Sequence, residues 1–89
     1  MIQEITLEEY REKTDRVGSV GMGGIQYCCI GENTYCVACW IPTDIKKDAI
    51  YFICDLENLN VVKDMNNYSK ESYDAIKTYA RRLERLELI

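Results

Sequence analysis

Ile25-Gln26-Tyr27-Cys28-Cys29-Ile30 and Thr34-Tyr35-Cys36-Val37-Ala38-Cys39-Trp40-Ile41 flank the tripeptide Gly31-Glu32-Asn33. Two runs rich in β-branched and aromatic residues around a short connection bearing Gly and Asn are the pattern of a β-hairpin. Pro42 ends the second run, and a polar loop through Lys46 and Lys47 leads to a third, Ala49-Ile50-Tyr51-Phe52-Ile53-Cys54. A turn around Glu57-Asn58 precedes a weaker fourth run, Leu59 to Lys63. Four short strands joined in sequence by tight turns predict an antiparallel meander.

Helical signals lie on both sides of this block. Thr6 with Glu9 three residues later is a capping box, and Ile5 can staple onto Tyr10. Leu7, Tyr10, Thr14 and Val17 then share one helical face, and Gly18 is placed to end the helix. At the other end Ser69 or Asn67 can cap a helix with the stripe Tyr73, Ile76, Ala80 and Leu83, extended by Leu86. The glycines of Gly18-Ser19-Val20-Gly21-Met22-Gly23-Gly24 follow a helix and open a strand, the reverse of a phosphate cradle, and no Lys-Ser/Thr pair follows them. They read as a flexible turn. The expected fold class is α+β, a four-stranded antiparallel meander flanked by an N-terminal and a C-terminal helix. One α-β-β-β-β-α domain spans residues 1–89.

A chain of 89 residues buries roughly 60–65% of the surface its unfolded form exposes, so the core is small. Its 47% apolar and 29% charged residues belong to a folded domain and not a disordered one. No apolar run approaches the roughly 18 residues of a membrane span, and no basic-then-apolar signal segment opens the chain. The expectation is a cytosolic protein with no membrane partner. Eleven Lys and Arg against fifteen Asp and Glu give a net charge of −4, which argues against direct binding of nucleic acid. Histidine is absent, and with it the commonest general base and metal ligand. No motif pairs a cysteine with a carboxylate, or two carboxylates, so no catalytic residues are assigned and the chain reads as a non-enzyme.

Five cysteines are many for a cytosolic chain, and Cys36-Val37-Ala38-Cys39 has the spacing of a zinc knuckle or a redox dithiol. If Glu32-Asn33 is a two-residue turn, Cys29 opposes Cys36; if Ile41 faces Ala49, Cys36 opposes Cys54. Three thiols would form one row across the sheet, nearly 10 Å from end to end at about 4.7–4.9 Å per strand. A flat row does not wrap a tetrahedral ion with Zn–S near 2.3 Å, and Cys36 and Cys39 alternate in face on a regular strand. Zinc therefore requires a break at Val37-Ala38. The candidate ligands are Cys29, Cys36, Cys39 and Cys54, with Cys28 as an alternate. The competing reading makes the cysteines small apolar core residues. A redox role is the third, opposed by the lack of a helix after the Cys-x-x-Cys to lower a thiol pKa.

Between Val17 and Thr43 the only charged residue is Glu32, so both faces of the sheet are apolar. On the register above, one carries Tyr27, Cys29, Cys36, Trp40 and Phe52, and the other Cys28, Ile30, Tyr35, Val37, Cys39, Ile41, Tyr51 and Ile53. Either one helix covers each face, or one face stays open as a partner site. Acidic residues gather in the first helix at Glu8, Glu9 and Glu12, and Tyr and Trp are enriched at interface hot spots. Glu8, Glu9, Glu12, Tyr35 and Tyr51 are the candidate partner-binding residues, suited to a basic surface that otherwise holds nucleic acid. Arg81, Arg82 and Arg85 read as a solvated helix face bridged to Glu84 and Glu87.

This combination resembles, in type, the small phage- and prophage-encoded anti-CRISPR proteins that block type II RNA-guided nucleases. The features that carry the resemblance are a short acidic single domain, no histidine, abundant tyrosine, acidic loops and the Cys36-x-x-Cys39 pair. The resemblance implies binding to the nuclease as protein partner and obstruction of its guide or target DNA, held in a positively charged channel. Two readings from other classes stand beside it. One is a zinc- or thiol-dependent regulatory module of a mobile element. The other is a homo-oligomeric structural protein that uses its open sheet face on itself.

Overall fold

The computed structural model describes residues 1–15, 20–41 and 49–87. In chain order the elements are β1 (Ile2–Ile5), α1 (Leu7–Thr14), β2 (Val20–Met22), β3 (Ile25–Gly31), β4 (Thr34–Cys39), β5 (Ile50–Cys54), α2 (Leu56–Met65) and α3 (Lys70–Glu87). The fold is α+β. All strand pairs are antiparallel, in the order β1-β5-β4-β3-β2. The meander β2-β3-β4-β5 thus carries a fifth strand, β1, on its β5 edge. Among the described residues no helix is long and apolar enough to cross a membrane. The expected roles of Gly18, Pro42, Lys46 and Lys47 lie outside the described residues.

Three elements differ from the sequence reading: α2, β1 and β2. Residues Leu59 to Lys63, expected as a strand, belong to α2. Asp55 caps that helix by accepting from the Asn58 N–H at 3.0 Å, and Leu59 and Val62, three apart, face the core together. The local β preference of Val61-Val62 yields to that cap and to burial of one helical face. Ile2–Ile5, which the sequence reading left unassigned, pairs Ile2 with Cys54 and Ile5 with Tyr51.

The β1 edge is closed by α3. The Glu84 carboxylate accepts from the Glu4 N–H at 2.7 Å, and Glu87 accepts from the Ile2 N–H at 3.0 Å. These two residues lie three apart, hence on one helical face, and satisfy amides that an edge strand leaves open to association. Arg81 forks onto Glu4 at 3.0 and 3.2 Å, and the Met1 ammonium meets Asp55 and Glu87.

At the opposite edge Gly23 and Gly24, at φ +45 and +96, turn β2 into β3. A Cβ on Gly23 would meet the Tyr68 ring, so glycine is required there by space as well as by φ. The stretch Gly18 to Gly24, expected as a turn throughout, turns at Gly23-Gly24. Val20–Met22 within it is the strand β2, paired with Ile25 to Tyr27, and Gly18 and Ser19 lie outside the described residues.

The core lies on both faces. Against α2 and α3 the sheet presents Ile2, Ile25, Val37, Cys39, Ile50, Phe52 and Cys54, packed with Leu59, Val62, Tyr73, Ile76 and Ala80. Against α1 it presents Ile5, Cys28, Cys36 and Ala38, packed with Tyr10. One helix of eight residues stands on the second face, and two helices totalling 28 stand on the first (10 + 18).

Candidate functional site

The strand register decides which side chains meet. At the hairpin end Gly31 pairs with Thr34, as a two-residue Glu32-Asn33 turn requires, with Asn33 left-handed at φ +51. A bulge between Cys29 and Gly31 then shifts the ladder, so Cys28 opposes Cys36 and Cys29 opposes Tyr35. Across β4 and β5, Cys36 opposes Ile53 and Tyr35 opposes Cys54. Both expected registers are therefore off by one residue, which exchanges the faces of β4 relative to its neighbours. Cys36 and Trp40 join Cys28, Ile30, Tyr51 and Ile53 under α1; Tyr35 joins Tyr27 and Phe52 under α2 and α3.

This placement separates the candidate zinc ligands. Cys36 and its alternate Cys28 lie on the α1 face, Cys39 and Cys54 lie on the other, and Cys29 is exposed with its S–H donating to the Gly31 carbonyl at 3.1 Å. Cys39 opposes Ile50, four residues from Cys54, roughly 13 Å along the strand. Among the described residues no three His, Cys, Asp or Glu side chains are grouped to hold a metal ion. The donor set as folded does not fit a tetrahedral ion. Burial pushes the Cys36 thiol up to about 11, with Cys28 beside it adding to the shift. Burial pushes Cys39 up to about 12, and Cys54, next to Asp55, also to about 12. These are neutral thiols at pH 7, inert as nucleophiles.

The α1 face holds the open site. The capping box forms as read: the Glu9 N–H donates to Thr6 Oγ1 at 3.1 Å and the Thr6 N–H donates to Glu9 Oε1 at 3.2 Å. Tyr10 points down onto the sheet and packs against the Tyr51 ring, centroids 5.1 Å apart. Beside this pair lies a groove of about 450 Å³ whose walls include Leu7, Arg11, Ala38, Trp40 and Tyr51. A volume of that size takes an apolar side chain or two of a partner. Trp40 and Tyr51 are only half-buried and Leu7 is 40% exposed, so α1 leaves part of its apolar face open.

The candidate partner-binding residues sort accordingly. Glu8 and Glu12 are exposed on α1, four apart on one side of the helix, with no ion pair among the described residues. Glu9 is exposed too, but its carboxylate is held in the capping box. Tyr51 is in the groove. Tyr35 is on the opposite face of the sheet, packed against the main core, and shares no surface with the others. Leu7 and Trp40 belong to the site in their place. Leu7 was assigned to the buried stripe of α1, and the off-by-one register had put Trp40 on the other face from Tyr51. Comparison with family models, curated proteins and solved structures finds no match for this chain.

Proposed function

We propose that the protein is a non-enzymatic inhibitor that binds an RNA-guided nuclease of the type II kind and blocks its use of nucleic acid. The carrying observation is the half-covered α1 face, where Leu7, Trp40 and Tyr51 stay accessible in a groove also lined by Arg11, under a helix that carries the exposed Glu8 and Glu12. An aromatic patch under a helix with Glu8, Glu9 and Glu12 against Arg11 and Lys13 suits a protein surface with basic character: the aromatics supply contact area and the exposed carboxylates steer the encounter. The partner is a protein, since a chain of net charge −4 is repelled by phosphate backbones. The buried, protonated thiols of Cys36, Cys39 and Cys54 and a sequence without histidine support a binding role over a catalytic one. The place of action is the cytoplasm of a bacterial host.

The test is cleavage of target DNA by guide-loaded type II nucleases with and without the protein. Inhibition is expected, weakened by Glu8→Lys with Glu12→Lys through slower association and by Trp40→Ala through faster dissociation. Full cleavage by every nuclease in the panel at saturating protein would sink the proposal. Glu9 is left alone, because its replacement would unwind the helix cap.

A further inference from the structure

The sequence around Arg82 mixes bases with fewer acids, and the fold gives those acids other partners. Glu84 and Glu87 turn to the β1 edge and accept from the Glu4 and Ile2 amides. Arg81 goes to Glu4. Arg82 and Arg85, three apart on the exposed side of α3, are left with no ion pair among the described residues. Two unneutralised guanidiniums, with the Thr78 hydroxyl beside them, line a groove of about 350 Å³. Leu86, 59% exposed, extends it with apolar surface.

A second groove, about 430 Å³, runs between α2 and α3 over Met65, Ala75 and Tyr79, and Thr78 and Arg82 belong to both. Its one acid, Asp74, is already bound by Lys70 at 2.8 Å. The continuous surface is therefore apolar at one end and cationic at the other. We propose that it is a second docking site, on the opposite side of the sheet from the α1 groove, for an acidic amphipathic peptide segment of a partner protein. Apolar side chains of that segment lie over Met65, Ala75 and Tyr79, and its carboxylates meet Arg82 and Arg85, whose planar forks suit them. Nucleic acid is the poorer fit, because a phosphate backbone has nothing to bury in the apolar half.

The probe is a fluorescein-labelled helical peptide with Leu at every third or fourth position and Glu between, titrated by anisotropy. Its Lys-for-Glu counterpart and a single-stranded oligonucleotide are titrated alongside. The acidic peptide alone should bind. Arg82→Glu with Arg85→Glu should weaken it about tenfold or more, about 1.4 kcal/mol. Ala75→Glu, at an exposed helical position, should weaken it with unchanged circular dichroism, and Trp40→Ala should leave it intact. Preferential binding of the oligonucleotide, binding indifferent to both α3 variants, or no binding by the acidic peptide would each overturn the proposal. None of these results bears on the α1 face, where nuclease inhibition is read separately.

Discussion

The two faces of the sheet draw on the same strands, and alternate residues of β4 serve each in turn, yet they are closed to different degrees. Under α2 and α3, Val37, Cys39, Phe52 and Cys54 are sealed. Under α1, Cys36 and Ala38 are sealed, but Trp40, Tyr51, Ile30 and Ile53 remain partly exposed. The difference comes from helix length. A helix rises 1.5 Å per residue, so the eight residues of α1 cover roughly 12 Å of sheet and the eighteen of α3 roughly 27 Å. Burial is thus concentrated on one face, and the other keeps apolar surface accessible.

That division can be broken by mutation. Phe52→Ala empties a fully buried site between β5 and the two C-terminal helices and should cost about 3–5 kcal/mol in urea denaturation. Trp40→Ala removes a larger side chain from the half-covered face and should cost less, roughly 1–2 kcal/mol, because Trp40 is only partly buried. Equal losses would mean that both faces are structural. Trp40 is the only tryptophan, so its emission reports the α1 face alone, and acrylamide should quench it readily in the native state.

The sequence disclosed local signals better than registers. The Thr6–Glu9 box, the hairpin around Asn33, the Ser69 cap and the Tyr73-Ile76-Ala80 stripe all depend on residues within a turn of one another, and all formed. The helix α2 was hidden because Val61 and Val62 favour strands, and the decisive Asp55 cap lies between what read as a strand and a turn. The bulge at Ile30 left no mark in composition, yet it turned β4 over relative to β3 and parted Cys29 from Cys36. The one-residue difference in the β4–β5 register parted Cys36 from Cys54 and Tyr35 from Tyr51. The role of Glu84 and Glu87 was equally hidden. A carboxylate that caps an edge strand some 80 residues away looks, in sequence, like a salt-bridge partner for its neighbouring arginines.

The β1–α3 closure differs from both faces in being electrostatic, and pH should separate it from them. The Asn58 N–H and then the Met1 ammonium hold the Asp55 carboxyl below its ordinary 3.8, and the Ile2 N–H and Met1 hold Glu87 below 4.5. A depressed folded pKa gives stability that is present above the unfolded value and lost as pH falls through the folded one. The Met1 ammonium is raised above 8.0, chiefly by Asp55, so its contribution is complete below pH 8 and lost as pH rises further. The melting temperature should therefore be flat between about pH 5 and 8 and decline on both sides. Asp55→Asn keeps a capping side chain and removes the charge, so it should flatten the acid decline. The alkaline decline persists, because the buried Cys36, Cys39 and Cys54 thiols, raised from 9.0 to about 11, 12 and 12, also lose stability as pH rises. Asp55→Ala should lower stability by about 1 kcal/mol through the lost cap. An unchanged acid limb in Asp55→Asn would show that the closure is not electrostatic.

The cysteines give the smallest expected effect. Cys29 lies on the same side of the sheet as the main core but beyond it, exposed near the hairpin end, while Cys28, Cys36, Cys39 and Cys54 are buried. Reaction with an aromatic disulfide reagent at pH 8 should label one thiol quickly in the native protein and all five in denaturant. The slow four are both shielded and, with raised pKa values, protonated. Cys29→Ser should remove the fast phase and shift stability by no more than about 0.5 kcal/mol, as exposed substitutions do. If zinc instead gathered Cys29 with Cys36, Cys39 and Cys54, the native protein would show no fast thiol. The same substitution would then lower the melting temperature by releasing the ion, because structural zinc binding is coupled to folding. The sheet would also have to break at Val37-Ala38 to bring thiols from its two faces together. A single fast thiol with chelator-insensitive melting leaves four of these cysteines as packing residues, two on each face of the sheet.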